Sequence, residues 1–137
     1  MIKTYIDAGV LIAAARGITP IAIKAIEIID DPNREFVSSV FLKLEVLPKA
    51  MYHRNEAEAS FYNTFFDAVT DWTDSLETIV WEAFNEACVS GLAAMDALHV
   101  ASAASLDAEE LVTTERSEKP IHRTQLIKVT SIMPSRV

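Results

Sequence analysis

Three carboxylates stand where a charge is expensive. Asp7 follows Tyr5-Ile6 and precedes Val10-Leu11-Ile12, Glu45 interrupts the run from Val40 to Leu47, and Asp96 lies between Leu92-Ala93-Ala94-Met95 and Ala97-Leu98. A lone carboxylate in apolar surroundings is paired, neutralised or bound to a cation. Each has a plainer role when taken alone. Asp7 suits a helix cap, Glu45 an i,i+4 pair with Lys49, and Asp96 the positive end of its own helix. Together with Glu115, which closes Leu111-Val112-Thr113-Thr114-Glu115, they describe a site for a hard cation. An all-oxygen donor set suits Mg²⁺ or Mn²⁺. The matching chemistry is phosphodiester hydrolysis, in which the cation activates a water for in-line attack. Glu118, three residues on, is a weaker auxiliary acid.

The elements that must position these groups can be read from apolar periodicity. Residues 3–6, 35–38, 110–114 and 126–132 are β-prone, and helical patterns separate them except before the last. Thr19-Pro20 reads as a cap with proline at the first helical position. Ser39, Asn55 and Asp74 are expected to cap the helices that follow them, the last two with Glu58 and Glu77 three residues on. Pro48 predicts a kink or an early stop. Residues 95–106 form a further, Ala-rich helix. The alternation predicts an α/β three-layer sandwich with a mainly parallel sheet of about five strands, as one domain over residues 1–137. In such sheets ligands gather at the carboxyl ends of the strands, where Asp7 and Glu115 fall.

Composition narrows the class. The chain has 137 residues, 12 Lys and Arg against 20 Asp and Glu, and a formal charge of −8, which argues against a basic nucleic-acid coat. A single cysteine excludes a disulfide framework or a Cys-based zinc site, and Cys88 reads as core. With three glycines there is no Gly-rich phosphate loop. Asp7-Ala8-Gly9 lacks the second Asp that a phosphotransfer site wants. No apolar run is long enough to span a membrane, so a soluble, cytoplasmic protein is expected. Glu27, Glu35, Glu56, Glu58, Glu77, Glu82, Glu86, Glu109 and Glu110 read as solvated helix faces. Ile79, Val80, Ala83, Phe84, Ala87 and Cys88 read as one stripe. The residues Phe61, Tyr62, Phe65, Phe66, Trp72 and Trp81 suit a core or a dimer surface. The stretch from Arg116 to Arg123 is the most basic local segment, and Arg116, Lys119 and Arg123 suit contacts with backbone phosphates.

With these residues in place the sequence resembles the PIN domain, the fold of VapC-type toxin ribonucleases. Tyr5-Ile6-Asp7 is similar to the family's opening strand with its first acid. Ser39 and Glu45 resemble the serine and second acid, Asp96-Ala97-Leu98-His99 the third-acid helix, and Thr113-Thr114-Glu115 the strand end with the fourth. The resemblance implies a Mg²⁺- or Mn²⁺-dependent endoribonuclease with Asp7, Glu45, Asp96 and Glu115 as catalytic and metal-holding residues, and Glu118, Thr114 and Ser39 as auxiliaries. It implies an RNA substrate, an antitoxin partner that covers the acidic groove, and a homodimer. No general-base histidine is expected, and His99 reads as structural. Two departures stand out: Ala8-Gly9 follow the first acid where a hydroxyl residue or Asn is usual, and Glu115 is one methylene longer than the usual Asp. They support the alternative of a catalytically weakened PIN-fold binding or regulatory protein.

Overall fold

The computed structural model describes residues 1–134, so the last three residues of the expected domain lie outside the described ones. Five strands form one parallel sheet: β1 Ile2–Ile6, β2 Arg34–Ser38, β3 Asp71–Trp72, β4 Glu110–Thr113 and β5 Lys128–Ser131, in the order β3-β2-β1-β4-β5. β3 is the strand for which the sequence offered no segment. Two residues are too few to show any alternation, and β3 is placed by its pairing with Val37 and Ser38.

Alternate residues of the central strands face two separate cores, as a sheet covered on both sides requires. Ile6, Phe36 and Val112 pack with helices α1 (Ala8–Arg16), α2 (Pro20–Ile29), α3 (Val40–Tyr52) and α4 (Glu56–Ala68). Tyr5, Val37 and Leu111 pack on the other side with α5 (Leu76–Ser90) and α6 (Ala94–Ser105). The expected three-layer sandwich is present. β1 lies at the switch point, since the chain builds outward from it in both directions. In open α/β sheets ligands bind beyond the carboxyl ends of the strands at such a point, here those of β1 and β4.

Local signals held at most helix starts. Thr19 accepts from Ala22 N–H at 3.1 Å, and Asn55 accepts from Glu58 N–H at 3.1 Å while its amide donates to the Glu58 carboxylate. Asp74 does not cap α5. Ser75 holds the cap position without a side-chain bond, and its hydroxyl donates to Asp74 instead. α3 runs on through Pro48 to Tyr52. Pro48 and Leu44, the residue whose carbonyl loses its partner, both lie on the exposed face, where solvent can serve that carbonyl.

Three assignments made on pattern alone are overturned. Cys88 is exposed, and so are Val80, Trp81 and Phe84: α5 buries Ile79 and Ala83, packs Ala87 partly against the same core, and turns the other four outward. Glu86 is buried and accepts from the Ser90 hydroxyl at 2.5 Å. Glu110 is buried against Arg34 at 2.7 Å and accepts from Thr130 at 2.6 Å, with Lys128 at 3.7 Å. Burial pushes the Glu110 carboxyl up, but Thr130, Arg34 and Lys128 outweigh it and hold the group below its ordinary range. Its contribution is therefore present above the unfolded pKa and is lost as pH falls through the lowered folded one. Arg34→Ala should cost about 2 kcal/mol at pH 7, since it strips a buried carboxylate of its main partner. Urea midpoints should show that deficit shrinking on acidification. A constant deficit from pH 7 to pH 3 would mean that Arg34 acts through packing alone.

Among the described residues, no single helix is long and apolar enough to cross a membrane.

Candidate active site

Asp7 leaves the end of β1 and is fixed from three sides. Its N–H donates to the Val112 carbonyl at 3.0 Å, Oδ1 accepts from Val10 N–H at 3.1 Å, and Oδ2 accepts from the Thr113 hydroxyl at 2.5 Å. The expected cap on α1 is therefore real, but it uses one oxygen of a buried carboxylate. Burial pushes the Asp7 carboxyl up. Thr113, Val10 and the His99 imidazole oppose that, and the charge of Asp96 adds to it.

Thr113 also reaches the fourth acid. Its Oγ1 accepts the Glu115 N–H at 2.9 Å, while the Glu115 carbonyl accepts from His122 Nε2 at 3.0 Å. One hydroxyl thus bridges the first acid and the backbone of the fourth. Asp96, in the first turn of α6, is half-buried, and burial raises its pKa. The charges of Glu115 and Glu45 raise it further, and His99 lowers it. Asp7 feels Asp96, and Asp96 feels Glu115 and Glu45, so all four acids share one electrostatic neighbourhood.

Glu45 departs from expectation. It does not pair with Lys49, and its side chain keeps 31% of its surface in solvent while one oxygen bonds His99 Nε2. His99 is 2% exposed, and its Nδ1 bonds the Tyr5 hydroxyl at 2.6 Å. The histidine read as structural thus bonds one of the four candidate acids. The signal was present: Asp96 and His99 are three apart on one helix and so share a face.

The donor set fits a divalent cation in its chemistry. It is all oxygen, and the charge of Asp96 disfavours ionisation of Asp7 while those of Glu115 and Glu45 disfavour ionisation of Asp96. Among the described residues, no three acidic, histidine or cysteine groups already stand close enough together to hold one ion. Three oxygens are spent within the protein, both of Asp7, on Val10 N–H and the Thr113 hydroxyl, and one of Glu45 on His99.

The PIN domain family model matches residues 4–118. The chain belongs to the PIN domain family. Its fold is similar to the solved VapBC2 of Rickettsia felis, bound to a DNA fragment from their promoter (TM-score 0.71, 15% identity, covering 95% of this chain and 98% of that one). It is similar to DNA-bound VapBC from Salmonella typhimurium (TM-score 0.69, 15% identity, 96% and 98% covered) and to FitAcB from Neisseria gonorrhoeae (TM-score 0.61, 15% identity, 92% and 95% covered). No curated protein matches the sequence at a significant level.

Ser39 is buried, caps α3 by accepting from Leu42 N–H at 3.4 Å, and meets Tyr5 at 2.7 Å rather than an acid. Thr114 lies against Gly9: a Cβ on Gly9 would stand 1.9 Å from Thr114 Oγ1. The Thr114 hydroxyl thus fills the volume that a side chain at position 9 would take. Glu118 is exposed in the loop beyond. Of the basic segment, Arg116 donates to the Pro134 carbonyl at 3.0 Å and Arg123 to Ser90 at 3.4 Å, while Lys119 is exposed. A cavity of about 360 Å³ beside Glu45 is lined instead by Arg16, Lys49 and His53. Lys49 lies one turn beyond Glu45 on α3, and Arg16 ends α1.

Proposed function

We propose that this PIN domain, taken as one unit over residues 1–137, is a metal-dependent endoribonuclease and the toxin of a toxin–antitoxin pair. One observation supports the reading: burial and neighbouring acids hold the Asp7 and Asp96 carboxyls above their ordinary range, with Asp96 acting on Asp7 and Glu115 and Glu45 acting on Asp96. Such a cluster is stable in its charged form when a cation joins it. Asp7, Glu45, Asp96 and Glu115 would hold Mg²⁺ or Mn²⁺. When bound, such an ion supplies Lewis acidity at the scissile phosphate and lowers the pKa of a coordinated water. The protein's own part is positional. Thr113 sets Asp7 and Glu115 in register, His99 holds Glu45, and the first turn of α6 fixes Asp96. Thr114, Ser39 and Glu118 are auxiliaries to this arrangement, and Arg116, Lys119 and Arg123 contact RNA phosphates.

The same reading gives a cytoplasmic protein with an antitoxin as partner and a homodimer as its assembly. The outward stripe of Val80, Trp81 and Phe84 on α5 supports a protein-covered surface, since apolar side chains gathered on one face mark interaction sites. The competing reading, a PIN-fold binding module without catalysis, draws on the absence of a ready-made three-ligand cage among the described residues.

One experiment separates the two. Purified protein, stripped with EDTA, is incubated with a broad RNA pool and then resupplied with Mg²⁺ or Mn²⁺. Cleavage that returns at least about tenfold over the stripped protein, and does not return in Asp96→Asn, supports the nuclease. Equal cleavage by wild type and Asp96→Asn would assign the activity to a contaminant and favour the binding module.

A further inference from the structure

A buried line of polar side chains runs from the start of α3 to the second acid, and the site as described does not require it. Leu42 N–H donates to Ser39 Oγ at 3.4 Å, Ser39 meets the Tyr5 hydroxyl at 2.7 Å, Tyr5 meets His99 Nδ1 at 2.6 Å, and His99 Nε2 bonds Glu45. Ser39 and Tyr5 are fully buried and His99 is nearly so. A core gains nothing from such groups, because each must be partnered to offset its lost hydration.

Proton counting gives the line a direction. A carboxylate only accepts, so His99 Nε2 carries a proton toward Glu45. In the tautomer with its proton on Nε2, Nδ1 is free to accept and takes the Tyr5 O–H. The Tyr5 oxygen in turn accepts the Ser39 O–H, and Ser39 accepts from the backbone. Every hydroxyl has one proton, and each is spent in the direction of Glu45. Burial keeps the Tyr5 phenol protonated, as the order requires.

We propose that Tyr5 and His99 are positioning residues for the second acid. They fix the imidazole tautomer so that Nε2–H pins one oxygen of Glu45 and leaves the other for the divalent cation. This rests on the nuclease reading above. Glu45 needs such help more than Asp7 does, because it is long, partly solvated, and free to sample many rotamers. A ligand held in place before the ion arrives binds it more tightly.

The test uses the full chain and Mn²⁺ alone, by calorimetry. His99→Gln keeps an N–H at the reach of Nε2, whereas His99→Asn keeps only a partner for Tyr5. We expect Mn²⁺ affinity within about threefold of wild type for His99→Gln, and about tenfold weaker for His99→Asn and Tyr5→Phe. In a Glu45→Ala background the His99 variants should no longer differ. Nitrogen-15 NMR of the metal-free wild type should show the His99 proton on Nε2, a readout that survives if His99→Asn fails to fold. A proton on Nδ1, or Tyr5→Phe binding Mn²⁺ as wild type does, overturns the proposal while leaving the nuclease reading standing. Wild type that neither binds Mn²⁺ nor cleaves RNA overturns both.

Discussion

Asp7→Asn should lower RNA cleavage by about 10²- to 10³-fold and leave the metal-free protein at least as stable as wild type at neutral pH. The loss follows from removing one negative ligand. Charge stabilisation by a bound cation is worth several kcal/mol, and each 1.36 kcal/mol is tenfold in rate. The stability follows from what Asp7 does in the fold. An Asn at this position still accepts from Val10 N–H, and Asn caps helices as well as Asp does. Its amide turned to Thr113 finds a hydroxyl oxygen that can accept, although the hydroxyl proton then loses its acceptor. Set against that is relief of a buried charge. The folded pKa of Asp7 is raised, first by burial, so its favourable contribution belongs to the protonated form. That contribution is present below the unfolded pKa and is lost as pH rises through the folded one. Above that folded pKa wild type carries a desolvated charge that Asn never carries, and the variant's advantage should vanish on acidification. Melting temperatures at pH 4 and pH 8 in EDTA, with cleavage rates in Mn²⁺, check both halves. Cleavage within tenfold of wild type would remove Asp7 from the site. A variant several degrees less stable at pH 8 would show that the Thr113 bond outweighs the buried charge. Function bought with stability in this way is what a strained active site predicts.

The acids were legible because their cost is local. A carboxylate beside Tyr5-Ile6 or within an Ala-rich helix is visible as an anomaly in a single sequence, and the alternation of strand and helix says which end of the sheet each one reaches. What held the acids was not legible. Thr113 and Asp7 are 106 residues apart, His99 and Glu45 are 54, and only the sheet order brings them together. Glu110 was misread for the same reason, since its partner Arg34 is 76 residues away on a strand it never touches directly in sequence. The α5 stripe failed differently. Its periodicity was real, but apolar side chains spread over most of the helix, and period alone cannot say which arc faces the core. β3 failed because pairing, not composition, makes a two-residue strand.

Gly9→Ala should be the most damaging conservative change in the site, at about 3 kcal/mol of stability and about 10²-fold in cleavage. The added methyl would meet Thr114 Oγ1 at 1.9 Å, with Thr114 Cβ at 3.1 Å and Cγ2 at 3.2 Å. Rotating the Thr114 side chain can remove the first contact, but the 3.1 Å approach of Cβ does not change with rotation. The backbone at the end of β4 must therefore move away from the start of α1. That movement acts on the site directly. Asp7 lies two residues before Gly9, Thr114 stands between Thr113 and Glu115, and the Thr113 bridge joins the two strand ends. A displacement of about 1 Å between reacting groups is enough for a hundredfold loss. The cause can be isolated by a second substitution. Thr114→Ala in the Gly9→Ala background deletes Oγ1 and Cγ2 and leaves only the 3.1 Å contact, so most of the stability should return. Urea midpoints of the two single variants and the double variant give the coupling. Strong non-additivity is expected. Additive losses would mean that Gly9 is needed for some feature of α1 other than its approach to Thr114. If stability returns in the double variant but cleavage does not, then the Thr114 hydroxyl has its own part in the site.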